Sequence, residues 1–102
     1  MKQIYIIQKL SDCTFKIGVS KNPKQRIKAV QTGNESKLKL LATYPSEYAH
    51  MIERTLHRQY SHHIGEGEWF DISLVEALSF DENCKKIEGS IDFLKKSGNV
   101  FI

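Results

Sequence analysis

The chain of 102 residues, 40% hydrophobic and 26% charged with a net charge of +3, has the size and composition of one globular domain, residues 1–102, with one small core. No apolar run approaches the ~20 residues of a membrane span, and Met1-Lys2 leads straight into a strand pattern rather than a signal sequence, so a cytoplasmic protein without a membrane partner is expected. Cys13 and Cys84 lie far apart with no CxxC spacing, which argues against a disulfide framework and predicts two reduced thiols.

Ile4-Tyr5-Ile6-Ile7 and Phe15-Lys16-Ile17-Gly18-Val19 are rich in β-branched and aromatic residues and are separated by the polar Ser11-Asp12-Cys13-Thr14. This pattern predicts a β-hairpin. It sets Tyr5 and Lys16 on neighbouring strands, a phenol and an ammonium that can interact if they share a face. The length of the link leaves the register, and therefore the face, open.

After the hairpin, Asn22 is placed as an N-cap, Pro23 as the first helical residue and Gln25 as the partner in a capping box. The helix should run to about Thr32 and stop at Gly33. Ile27 and Val30 point to the core, Lys24, Lys28 and Gln31 away from it, and Arg26 sits on the flank between. An arginine there can hold a phosphate through two parallel hydrogen bonds or form an ordinary surface ion pair. Leu38 to Tyr44 reads as a third strand closed by Pro45.

Ser46 is placed to cap a second helix from Glu47 to about Tyr60, in which Tyr48, Ile52, Leu56 and Tyr60 form a buried stripe. Ala49, Glu53 and His57 make the adjacent stripe, so Glu53 and His57 stand one turn apart at the edge of the core. They fit either a cleft or a plain helix-surface pair. His50, Arg54 and Arg58 make a third, basic stripe.

His62 and His63 match no structural zinc spacing. Gly65 and Gly67 lead into Glu68-Trp69-Phe70, an extended piece whose aromatics are expected to cover the core rather than to stack on bases. In the last third, Ser73 and Glu76 suit a capping box. Phe80, Cys84, Ile87, Ile91 and Leu94 mark the buried stripe of a longer helix from about Asp81 to Lys96, interrupted by Gly89 and ended by Gly98.

Charge is unevenly spread. In residues 1–46, nine lysines and arginines against Asp12 and Glu35 give +7, which leaves −4 for the rest of a chain that totals +3. A basic half suits either a polyanion, with nucleic acid first, or a solvated lysine surface.

The ordered set of Ile4-Tyr5, Lys16-Ile17-Gly18, Arg26 after a proline, Glu53 with His57 one turn on, and Glu68-Trp69-Phe70 resembles the GIY-YIG nuclease superfamily. The likeness is to the branch found in phage open reading frames and fungal meiotically up-regulated proteins, and it covers roughly residues 3–72, with 73–98 forming helices that pack on that module. It implies an α/β domain of the α+β type, with a three-stranded antiparallel sheet flanked by helices, and a metal-dependent endonuclease that hydrolyses phosphodiester bonds, in DNA ahead of RNA.

On that resemblance Glu53 supplies the sole protein carboxylate to Mg²⁺ or Mn²⁺, which tolerates a site completed by water and phosphate. Tyr5 orients or deprotonates the attacking water with Lys16 nearby, Arg26 binds the scissile phosphate, and His57 supports Glu53 or donates a proton. Lys21, Lys24, Lys28, Arg54 and Arg58 are the nucleic-acid-binding candidates. The chain departs from the superfamily at Gln3, where glycine is usual, at Lys16, where tyrosine is usual, and in lacking an identifiable late asparagine. A lone module has little room for recognition, which points to weak selectivity, a homodimer or a targeting partner protein. The competing readings are a nucleic-acid-binding module without turnover and a phage-type protein-interaction factor on the same scaffold.

Overall fold

The computed structural model describes residues 1–61 and 69–98; the expectations for His62, His63, Gly65, Gly67 and Glu68 lie outside them. Strands β1 (Gln3–Lys9), β2 (Thr14–Ser20) and β3 (Leu38–Pro45) form an antiparallel sheet in the order β2-β1-β3. Helices α1 (Pro23–Thr32), α2 (Ala49–Gln59), α3 (Leu74–Leu78) and α4 (Phe80–Lys96) flank it, giving the α+β architecture that the strand and helix patterns predict.

The register is decided by pairing. Tyr5 faces Gly18 and Ile7 faces Lys16 across β1 and β2, so these four residues share one face of the sheet, while Ile4, Ile6, Phe15 and Ile17 share the other. Each face carries its own core. Ile4, Ile6, Phe15 and Ile17 pack with Ile52 and Leu56 of α2, Phe80, Cys84, Ile87 and Ile91 of α4, and Phe70. On the opposite face, Tyr5, Ile7, Leu38 and Trp69 form a thinner cluster beneath Ile27 and Val30 of α1. Four consecutive buried residues, Ile4 to Ile7, are what a central strand covered on both sides requires.

Local chemistry sets the element ends. Asp12 Oδ1 accepts hydrogen bonds from Thr14 N and Oγ1 at 3.2 and 2.7 Å, and Cys13 takes a left-handed φ of 55° to close the hairpin. At α1, Asn22 Oδ1 accepts from Gln25 N at 3.2 Å. The return half of the expected capping box is replaced, because Asn22 N donates instead to Ser20 Oγ at 3.0 Å. Gly33 ends α1 with an ordinary φ of −92°, so no left-handed cap is involved there, whereas Gly98 beyond α4 has φ +81°.

Helix α2 starts later than expected, at Ala49 with Tyr48 as its cap residue. Ser46 closes the turn that precedes the helix. It is buried, donates to Glu88 Oε2 at 2.5 Å and accepts from Tyr48 N at 3.0 Å, so it shapes the turn ahead of the helix. Glu88 also accepts from Tyr44 Oη at 2.8 Å, and this carboxylate ties α4 to the end of β3. Burial and the Glu88 carboxylate push the Tyr44 phenol up to about 12. Ser73 and Glu76 make both halves of the predicted capping box at α3.

Candidate active site

Strand β2 lies at an edge of the sheet, and its outer side is where the candidate residues meet. Part of that edge is closed by Phe70, which exchanges two backbone hydrogen bonds with Phe15 at 2.7 and 2.9 Å. Farther along, the ring of His57 on α2 comes within 2.7 Å of the Ile17 carbonyl through Nε2. A carbonyl only accepts, so Nε2 carries the hydrogen. Nδ1 is then the position left to take up or return a proton. The imidazole packs edge-on against Phe70, with ring centroids 5.0 Å apart.

From the opposite face of the sheet the Tyr5 ring crosses over Gly18. A Cβ built on Gly18 would lie 2.5 Å from Tyr5 Cζ and nearer still to Oη, so the glycine is there for space, which is what a strand glycine signals when another group approaches closely. The bare Gly18 backbone lets a 3% exposed tyrosine bring its hydroxyl to the edge where His57 arrives from the other side. Lys16 opposes Ile7 rather than Tyr5, which makes Tyr5 and Lys16 diagonal neighbours on one face. The Lys16 Nζ stands 5.8 Å from the centroid of the Trp69 ring, and Lys9 Nζ stands over the same ring at 4.5 Å. Trp69, 9% exposed, is therefore a core residue carrying two ammonium groups.

Tyr5, Lys16, Ile17, Gly18, Val19, Arg26, Glu53 and His57 together line a cleft of ≈ 330 Å³. Five side chains that the sequence singles out for chemistry, from β1, β2, α1 and α2, are thus brought to one place. Among the described residues Glu53 is the only carboxylate that lines it, alongside Lys16, Arg26 and the imidazole. Among the described residues no group of three or more His, Cys, Asp and Glu side chains is placed to hold a metal ion.

A family model, the T5orf172 domain, matches residues 2–91. The chain belongs to that family. No curated protein and no solved structure matches it. The matched span of the T5orf172 domain holds every residue of the cleft and runs past residue 72 through α3 and most of α4.

The nucleic-acid-binding candidates of the T5orf172 domain divide into two sets. Lys21 and Lys24 line a depression between the start of α1 and β3, and Lys21 also lines a second one with Arg26 of the cleft, so Lys21 stands nearer the cleft than Lys24. Lys28 is exposed farther along α1. Arg54 and Arg58 do not line the cleft, although each is the next residue after Glu53 or His57; they face a groove between α2 and α4. Sequence reasoning missed the Ile17 carbonyl, which no side-chain pattern advertises, and Lys9, whose tie to Trp69 needs the folded sheet. The place of Gly18 was signalled by a glycine inside a strand.

Proposed function

We propose that this T5orf172 domain is a metal-dependent endonuclease of the GIY-YIG kind that hydrolyses phosphodiester bonds in DNA. The observation that carries the reading is the composition of the cleft: a phenol, two cations, an imidazole held through Nε2 and, among the described residues, a single carboxylate around one opening. The family's association with nuclease folds supports it. Glu53 would hold one Mg²⁺ or Mn²⁺, which when bound supplies charge stabilisation at the phosphate.

The chain's own groups account for the rest. The Arg26 guanidinium binds the non-bridging oxygens of the scissile phosphate in a fork, and Lys16 adds a second positive charge from the sheet. Tyr5 Oη, held by Ile7, Leu38 and Trp69 around its ring, orients the attacking water. Water attacks phosphorus as its proton passes to His57 Nδ1, and the bond from phosphorus to the 3′ oxygen breaks, with that leaving oxygen taking up a proton from solvent.

The test is incubation with supercoiled, linear and single-stranded DNA and with RNA, in Mg²⁺, Mn²⁺ or EDTA. Cutting that requires the metal is expected. Glu53→Gln keeps the side-chain volume, so the variant should fold and still bind DNA but cut at least ~100-fold more slowly, the scale on which one lost electrostatic stabiliser registers. Tyr5→Phe should show a comparable loss with metal binding intact. Wild-type rates in Glu53→Gln would overturn the metal assignment, and salt-sensitive binding without cutting in any metal would leave a binding module.

A further inference from the structure

The groove between α2 and α4, ≈ 500 Å³, carries Arg54, Arg58 and Lys86 over a floor that includes Ile87, Ile91 and Leu94. We infer that this groove binds the phosphate backbone of the same nucleic acid whose scissile phosphate occupies the cleft, with Lys86 of α4 as a contact beside Arg54 and Arg58. The inference rests on the reading of the cleft as a phosphodiester site.

The charge pattern is the first support. No carboxylate lines the groove among the described residues, whereas the depression on the far side of α4 is lined by Glu47, Glu88 and Asp92. On α4 itself, Lys85 pairs with Asp81 at 4.0 Å and Lys96 with Asp92 at 3.0 Å. Among the described residues no such carboxylate pairs with Lys86, Arg54 or Arg58. Several neutral polar groups at the rim have their hydrogens directed to the protein itself: Thr55 Oγ1 donates to Met51 O and Ser90 Oγ to Lys86 O, while Asn83 Nδ2 donates to Gln59 and Tyr60. The charged groups of the groove are thus three cations, and what they match is a row of anions.

Continuity with the cleft is the second support. Successive residues on a helix are turned by about 100°, so Glu53 and His57 look into the cleft while Arg54 and Arg58 look into the groove from the same two levels of α2. The two openings share that helix as a wall, and its width of roughly 10–12 Å with side chains is what a backbone leaving the cleft must cross. Duplex DNA places one charge per ~1.7 Å of its axis, so a duplex seated in the cleft has phosphates within reach of the groove. An acidic segment of a protein partner is the competing occupant, and it lacks this continuity.

The experiment measures binding of a labelled DNA duplex across a salt series without metal, for wild type and for the triple variant Arg54→Gln, Arg58→Gln, Lys86→Gln. Glutamine keeps much of each side-chain stem, and an unchanged melting temperature confirms folding. A second triple, Lys85→Gln, Lys95→Gln, Lys96→Gln, removes the same charge from α4 outside the groove. The groove triple should lower the slope of log affinity against log salt by about 0.9 for each phosphate it no longer neutralises, about 2.7 for three, while the control triple leaves it nearly unchanged. Equal falls in both triples, or none in the groove triple, would overturn the inference, as would a polyglutamate peptide binding the wild type but not the groove triple with the DNA slope untouched. If wild type cuts DNA yet its slope ignores the groove triple, the groove fails alone; if wild type neither binds nor cuts, the cleft reading fails with it.

Discussion

Substituting Gly18 tests how Tyr5 reaches the cleft, independently of any activity. Alanine at this position places Cβ 2.5 Å from Tyr5 Cζ and closer to Oη, well inside van der Waals contact, and the ring cannot yield cheaply because it is rigid and packed with Ile7, Leu38 and Trp69. Overpacking of this kind costs about 1–3 kcal/mol. In a Tyr5→Ala background, itself destabilised by about 3–5 kcal/mol as aromatic truncations are, the obstacle is gone. There the same substitution should cost nothing, or stabilise by about 0.5–1 kcal/mol as a strand glycine becomes alanine. The coupling in the double-mutant cycle is therefore about 1–4 kcal/mol, above the additivity error of independent sites. Urea unfolding of the four proteins reads it directly, with a constant m-value as the check on two-state behaviour. Gly89→Ala serves as control, since a Cβ on Gly89 meets nothing within 4 Å. An equal cost for Gly18→Ala in both backgrounds would refute the placement of the Tyr5 ring.

Three further outcomes follow from burial. Trp69→Ala should lower stability by about 3 kcal/mol or more, and an unchanged melting temperature with abolished DNA binding would mark Trp69 as a nucleic-acid-binding residue instead. The Cys84 thiol is fully buried and burial pushes it up from 9.0 to about 12, so an aromatic disulfide reagent should label exposed Cys13 rapidly and Cys84 only on unfolding; equal native rates would contradict the packing of α4. The native state holds the Cys84 and Tyr44 protons more tightly than the unfolded chain does. Their contribution is whole below about pH 9 and is lost as pH rises towards 12, and urea midpoints should fall across that window.

Elements with strong local signals are legible in the chain alone. Asn22-Pro23 begins α1, the Ser73 and Glu76 box begins α3, and Phe80, Cys84, Ile87 and Ile91 form the buried stripe of α4, because capping bonds and helical period depend on residues three and four apart. The five candidate side chains of the cleft were readable as an ordered set of residue types. Ser46 misled only on the helix start: its hydroxyl does accept from a backbone N–H, that of Tyr48, while it donates to Glu88, 42 residues away, but the bond closes a turn and the helix begins at Ala49.

Three matters were left to the tertiary structure. Register was one, since a slip of one residue moves every side chain to the other face, and only the pairing of Tyr5 with Gly18 and Ile7 with Lys16 places the phenol and the ammonium diagonally on one face. The His57 tautomer was another, for it depends on the edge position of β2 that exposes the Ile17 carbonyl. The last was the division of α2 between two surfaces. The chain shows Glu53, Arg54, His57 and Arg58 as neighbouring stripes, but which stripe opens on the cleft and which on the groove is set by where α4 packs, through contacts between residues far apart in sequence.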